Sequence, residues 1–109
     1  MKLYFYELDT GGYGREPKRI SCIECEAEER PKTYVPANGG RFPHYIYRLK
    51  KDDIGHFISF DSNLIAFTEP SFEQVKEMFK NREIGRIESA KEEIDRLKKV
   101  LRVIEESEE

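Results

Sequence analysis

The chain has 109 residues, enough for one domain with a modest core. Charged residues make up 38% and apolar residues another 38%, and seven Phe and six Tyr with no Trp supply much of the core volume. A net charge of −3 excludes a general basic drive toward nucleic acid, and no apolar run approaches the length of a membrane span.

The start of the chain is apolar but soon interrupted by charge at Glu7, which argues against a signal peptide. This predicts a cytoplasmic protein with both cysteines reduced. Residues 2–8 predict a strand, with Tyr4, Phe5 and Tyr6 on consecutive positions so that both faces carry rings. Residues 10–17 hold Gly11, Gly12, Gly14 and Pro17 and predict a loop or wide hairpin. Residues 18–28 predict a second strand, with Ile20, Cys22 and Ile23 as core candidates and Glu24, Glu26 and Glu28 sharing one face. Arg30-Pro31-Lys32 is a turn, because proline cannot donate inside a ladder. A short third strand is predicted at 33–35, then a flexible loop at 36–43 with Asn38-Gly39-Gly40 at its tip.

Residues 45–49 are strand-like, and 50–55 predict a single helical turn ended by Gly55. Residues 56–60 and 64–68 predict a hairpin closed by Asp61-Ser62-Asn63. Short connectors favour antiparallel pairing. The fold class expected is therefore α+β in a single domain: an antiparallel sheet of five to six short strands over 1–69, then one long amphipathic helix over 70–109.

That helix has a clear start, with Ser71 as N-cap and Gln74 completing a capping box. Phe72, Val75 and Phe79 are expected to lie across one face of the sheet. Farther on, Ile87, Ala90, Ile94, Leu97, Leu101 and Ile104 follow a 3-4-3-4-3 spacing, the seam of a helix pair, with Val100 widening it. Glu92 with Arg96 and Asp95 with Lys99 are expected ion pairs along the helix. About 35 helical residues span roughly 50 Å, far more than a small sheet is wide. The overhang predicts a homo-oligomer, most simply a dimer, through residues 87–104. The rival is a break at 81–85, since Gly85 is a natural C-cap. The apolar phase is kept across that gap, which favours the continuous helix.

Chemistry is sparse. Cys22-Ile23-Glu24-Cys25 has CxxC spacing, and Cys22, Cys25, His44 and His56 form the one complete zinc set available. Its gaps match no standard finger, and on a regular strand the two cysteines point to opposite faces, so no metal or cofactor is expected. Neither glycine-rich segment has phosphate-loop spacing. As loop tips they place Tyr13, Arg15, Arg41 and Phe42 for contact with a partner. The stripe Glu24, Glu26 and Glu28 is either a solvated strand face or an imitation of a phosphate backbone that enters a basic groove. Asp52, Asp53, Asp61, His44 and His56 cannot be assembled into a catalytic set, so an enzyme is not expected.

Two stretches carry a resemblance: Glu28-Glu29-Arg30-Pro31-Lys32-Thr33-Tyr34, and Arg48-Leu49-Lys50-Lys51-Asp52-Asp53-Ile54-Gly55 followed by a hairpin and a Glu/Lys-rich terminal helix. The arrangement resembles small accessory proteins of phages and prophages of Gram-positive bacteria. It transfers no functional residues. The resemblance implies a binder in the host cytoplasm, some such proteins being anti-CRISPR-like inhibitors of host defence and others sequestering nucleotide signals. The leading expectation is a non-enzymatic inhibitor of a host protein, such as a defence nuclease, with no direct contact to nucleic acid. The alternatives are a nucleotide-sequestering protein, using Arg15, Arg41, Arg48, Tyr13 and Phe42, and an oligomeric virion or assembly component.

Overall fold

The computed structural model describes residues 1–12, 14–58 and 62–108. The chain is an α+β fold, with strands β1 (Lys2–Leu8), β2 (Ile20–Glu29), β3 (Thr33–Pro36), β4 (Leu49–Lys50) and β5 (Leu64–Phe67), then helix α1 (Phe72–Glu106). All pairings are antiparallel, in the order β4-β3-β2-β1-β5. The first four strands form a meander, and the fifth returns to the far edge beside β1. The chain divides into two compact units, Met1–Lys76 and Glu77–Glu109, with the boundary inside α1. Among the described residues, no helix is long and apolar enough to cross a membrane.

The first unit is organised by the alternation of side chains along the strands. Leu3 and Phe5 of β1 point to one face, where Ala27, Tyr34, Leu49, Leu64 and Ala66 join them in a buried cluster. Ile46, Ile54 and Ile58 pack against this cluster. The opposite face of β1 carries Tyr4 and Tyr6, which stand beside Phe67 and Ile65 of β5. Both faces of β1 thus carry rings, as its consecutive aromatics predict.

Several local features differ from the sequence expectation, among them the core candidates of β2: Cys22 and Ile23 are exposed and Ile20 is half-buried. Residues 45–49 are not a strand: a tight turn spans Pro43–Tyr45, and only Leu49 and Lys50 pair with β3. The turn is held because Phe42 is drawn into the core, 2% exposed and 5.1 Å from the Phe5 ring, while His44 contacts the Glu7 carboxylate. The hairpin expected from 56–60 and 64–68 is a bridge between Phe57 and Ile65 with a bond of 3.1 Å from Ile58 N–H to Leu64 O, and β5 spends its other edge on β1. Residues 59–61 of that hairpin lie outside the described residues.

The capping box is replaced. The Ser71 N–H donates to the Tyr6 hydroxyl at 2.8 Å, the place Gln74 was expected to fill, and the Ser71 hydroxyl donates to Glu69 O at 2.9 Å. A buried phenol reaching across from β1 therefore anchors the entry to α1, and its ring also meets Phe72 at 6.5 Å. Phe72 itself stays about half exposed, while Val75 and Phe79 are buried.

Along α1, Arg96 takes Glu93 through two bonds of 3.1 and 2.7 Å rather than Glu92. Glu83, which interrupts the apolar period, accepts from Arg82 and Arg86 at 3.1 Å each. The helix is continuous through Gly85. Every described residue from Ile84 onward is exposed.

Candidate functional site

The free edge of the sheet is β4. Its pairing with β3 sets Thr33 opposite Lys50 and Tyr34 opposite Leu49, and Lys51 N–H donates to Lys32 O at 3.0 Å. Leu49 faces the core, so its neighbours Arg48 and Lys50 face outward and are exposed. A cleft of about 690 Å³ opens here, lined by Lys32, Thr33, Arg48, Lys50, Lys51 and Asp52 together with Pro31. Lys51 is engaged: it pairs with Glu29 at 3.2 Å and lies 5.5 Å from the centre of the Tyr34 ring. Among the described residues, no carboxylate lies within ion-pairing distance of Lys32, Arg48 or Lys50.

A second depression of about 340 Å³ shares Arg48 and Lys50 with the first and adds His44, Tyr45, Tyr47 and Asp53. Tyr45 and Tyr47 are 83% and 77% exposed, the most solvent-facing large rings among the described residues. They project from the turn in which His44 (φ +58°) and Tyr45 (φ +60°) are both left-handed. That conformation costs an L residue about 1–2 kcal/mol. From sequence, Tyr45 and Tyr47 belong to a strand, Lys50 to a helical turn and Lys32 to the turn after the second strand, so none of the four stood out as a contact residue. No local pattern groups them, because strict alternation along Tyr45-Ile46-Tyr47-Arg48-Leu49-Lys50 sets the two rings with Leu49 and the two cations on the opposite side.

The residues proposed from the sequence are not gathered into one place. Arg15 serves its own loop: its Nε donates to Gly11 O at 2.7 Å and its guanidinium lies 3.9 Å from Asp9. It lines a separate cleft of about 580 Å³ with Asp9, Lys18 and Arg19. Arg41 is exposed and lines neither cleft. Phe42 is a core residue and is withdrawn from any contact surface, because its ring fills the space over Phe5. Tyr13 lies outside the described residues.

Glu24, Glu26 and Glu28 do share the outward face of β2, and each has a cation of the same chain nearby. Lys2 lies 3.3 Å from Glu24, the N-terminal ammonium 3.9 Å from Glu26 and Arg30 3.9 Å from Glu28. The Glu24 carboxylate raises the Lys2 ammonium above its ordinary pKa, chiefly through their hydrogen bond. These pairs are exposed and individually weak, but they break the stripe of uncompensated charge that a phosphate imitation requires.

Cys22 stands beside Tyr6 and Cys25 beside Leu3, on opposite faces of β2. The CxxC spacing therefore cannot chelate one ion from a regular strand. Among the described residues, no group of three or more His, Cys, Asp and Glu side chains comes together to hold a metal.

In the second unit, Ile87, Ala90, Ile94, Leu97, Leu101 and Ile104 are all exposed, with Ile94 at 51% and Leu97 at 50%. Val100 and Val103 lie exposed beside them.

Comparison of the chain with family models, with curated proteins and with solved structures finds no match in any of the three.

Proposed function

We propose that this chain is a non-enzymatic binding protein that self-associates through α1 and acts by occupying a partner. The observation that carries the proposal is the exposed seam on a continuous 35-residue helix. An apolar stripe at this spacing is stabilised when a second copy covers it. The resemblance described above supplies the biological class, a phage-type accessory protein that blocks a host defence protein. The cations beside Glu24, Glu26 and Glu28 favour a partner surface other than that stripe.

The seam gives a direct test. Ile94 and Leu97 are half covered already, so pairing offers each about half of the roughly 1.5–3 kcal/mol of full burial. Changing both to Ala in both copies removes on the order of 3 kcal/mol or more, a loss of about a hundredfold or more in dimer affinity. Sedimentation velocity is expected to find a dimer for the native chain and a shift to monomer for Ile94→Ala/Leu97→Ala. A native chain that stays monomeric at the highest soluble concentration refutes self-association. The biological half is tested by plating phage on bacteria with a nuclease-based defence, with and without the protein. Restored plaques support the inhibitor reading, and unchanged plating across the defence systems tried counts against it.

A second reading, sequestration of a nucleotide, is favoured by one arrangement: exposed tyrosines beside Arg48 and Lys50, which with Lys32 have no carboxylate within ion-pairing distance among the described residues.

A further inference from the structure

We propose that the β4 edge is a binding site for a phosphorylated ligand bearing an aromatic base, with Tyr45 and Tyr47 as stacking surfaces and Lys32, Arg48 and Lys50 as phosphate contacts. The proposal deepens the nucleotide reading above and is independent of the helix seam.

Three observations converge on it. Lys32 lines one depression of this edge and Tyr45 and Tyr47 line the other, while Arg48 and Lys50 line both and join them. A guanidinium or ammonium without a carboxylate beside it remains available to a phosphate. The edge is not uniformly basic, since Asp52 and Asp53 line its floor. That mixture suits a ligand of defined shape better than a bare polyanion.

The rings are the second observation. Tyrosine is amphipathic, and rings this exposed offer flat apolar faces on which an aromatic base can stack. Charge on an edge strand also discourages pairing with other sheets. That role explains Lys50 but neither tyrosine.

The backbone is the third. Two consecutive non-glycine residues are held left-handed at His44 and Tyr45. Pro43 precedes them, the Ile46 N–H closes the turn on Pro43 O at 3.3 Å, and the His44 contact with Glu7 anchors it to β1. Strain of this kind persists where surrounding structure enforces it and clusters at ligand sites. Glycine at Tyr45 would relieve it.

This separates stability from binding. Tyr45→Gly is expected to raise the melting temperature, because the left-handed backbone is then unstrained, and to weaken ligand binding about tenfold or more through the lost stacking. Tyr45→Phe keeps the stacking surface and retains binding. Arg48→Ala weakens binding and flattens its salt dependence. Lys18→Ala removes one exposed cation from the other cleft and leaves binding unchanged.

The experiment is calorimetric titration of the full-length chain with adenosine 5′-monophosphate, adenosine, inorganic phosphate and a short oligothymidylate at low salt. Saturable binding of the monophosphate that exceeds adenosine and phosphate, with the variant pattern above, is the expected result. If the oligothymidylate binds much more tightly than the monophosphate, the site takes its base and phosphate from a single strand; comparable binding points to a free nucleotide. The proposal is overturned if none of the probes binds, if phosphate alone binds as well as the nucleotide, or if Lys18→Ala weakens binding as much as Arg48→Ala. The Ile94→Ala/Leu97→Ala chain runs alongside. Binding retained in a monomer leaves the site standing without the seam, and a dimer that binds nothing does the reverse.

Discussion

Gly85 sits inside α1 where the choice between one long helix and two short ones is made. Two residues before Ile87, it is turned by roughly 200° from that position and so lies away from the seam. A Cβ built there meets nothing within 4 Å, and its φ is not in the left-handed range. Gly85→Ala therefore adds a methyl group without a clash. The gain is the intrinsic difference between the two residues in a helix interior, about 0.8–1.0 kcal/mol per chain. Every described residue from Ile84 onward is exposed, so little else masks that difference. Urea unfolding followed by far-ultraviolet circular dichroism measures it, and the thermal midpoint should rise by about 4 °C or more if the chain unfolds as one transition. The oligomeric state should not change. A neutral or destabilising Gly85→Ala would refute the reasoning, since it would mean that the native chain bends at Gly85 in a conformation alanine resists.

Tyr6→Phe removes the acceptor of the Ser71 N–H and should cost about 1–3 kcal/mol in chemical denaturation; an unchanged midpoint would mean that water serves that N–H equally well. Gly11→Ala should destabilise by at least ~2 kcal/mol, because Gly11 has φ +85° and its Cβ would lie 2.4 Å from Arg15 O. Gly14→Ala, also left-handed but with open space, should cost only about 1–2 kcal/mol; equal effects in a thermal melt would sink the steric argument. Burial, and secondarily the neighbouring Cys22, pushes the Cys25 thiol above its usual range. Cys22 is exposed. At mildly alkaline pH iodoacetamide should therefore label Cys22 first, with Cys25 catching up as the pH rises and its thiolate forms. Peptide mass spectrometry reads the order, and faster labelling of Cys25 would contradict it.

Much of this protein follows from short-range pattern. The paired faces of β1, the outward stripe of β2, the turn at Arg30-Pro31-Lys32 and the long helix are written in alternation, proline placement and a 3.6-residue period, which act within a few residues of one another. The seam on α1 is legible for the same reason: a helix keeps its own spacing whatever surrounds it. What the pattern could not reach was decided by residues far apart in the chain. Phe42 has the neighbours of a loop tip, yet Phe5 draws it inward. The strand expected at 45–49 becomes a left-handed turn because Phe42 is buried on one side of it and His44 is tied to Glu7. Ser71 is capped from β1 by Tyr6, a donor–acceptor pairing 65 positions apart. Lys32 comes beside Arg48 and Lys50 only once β4 has paired with β3, for local sequence sets which side of a strand a residue faces but not which strand lies beside it.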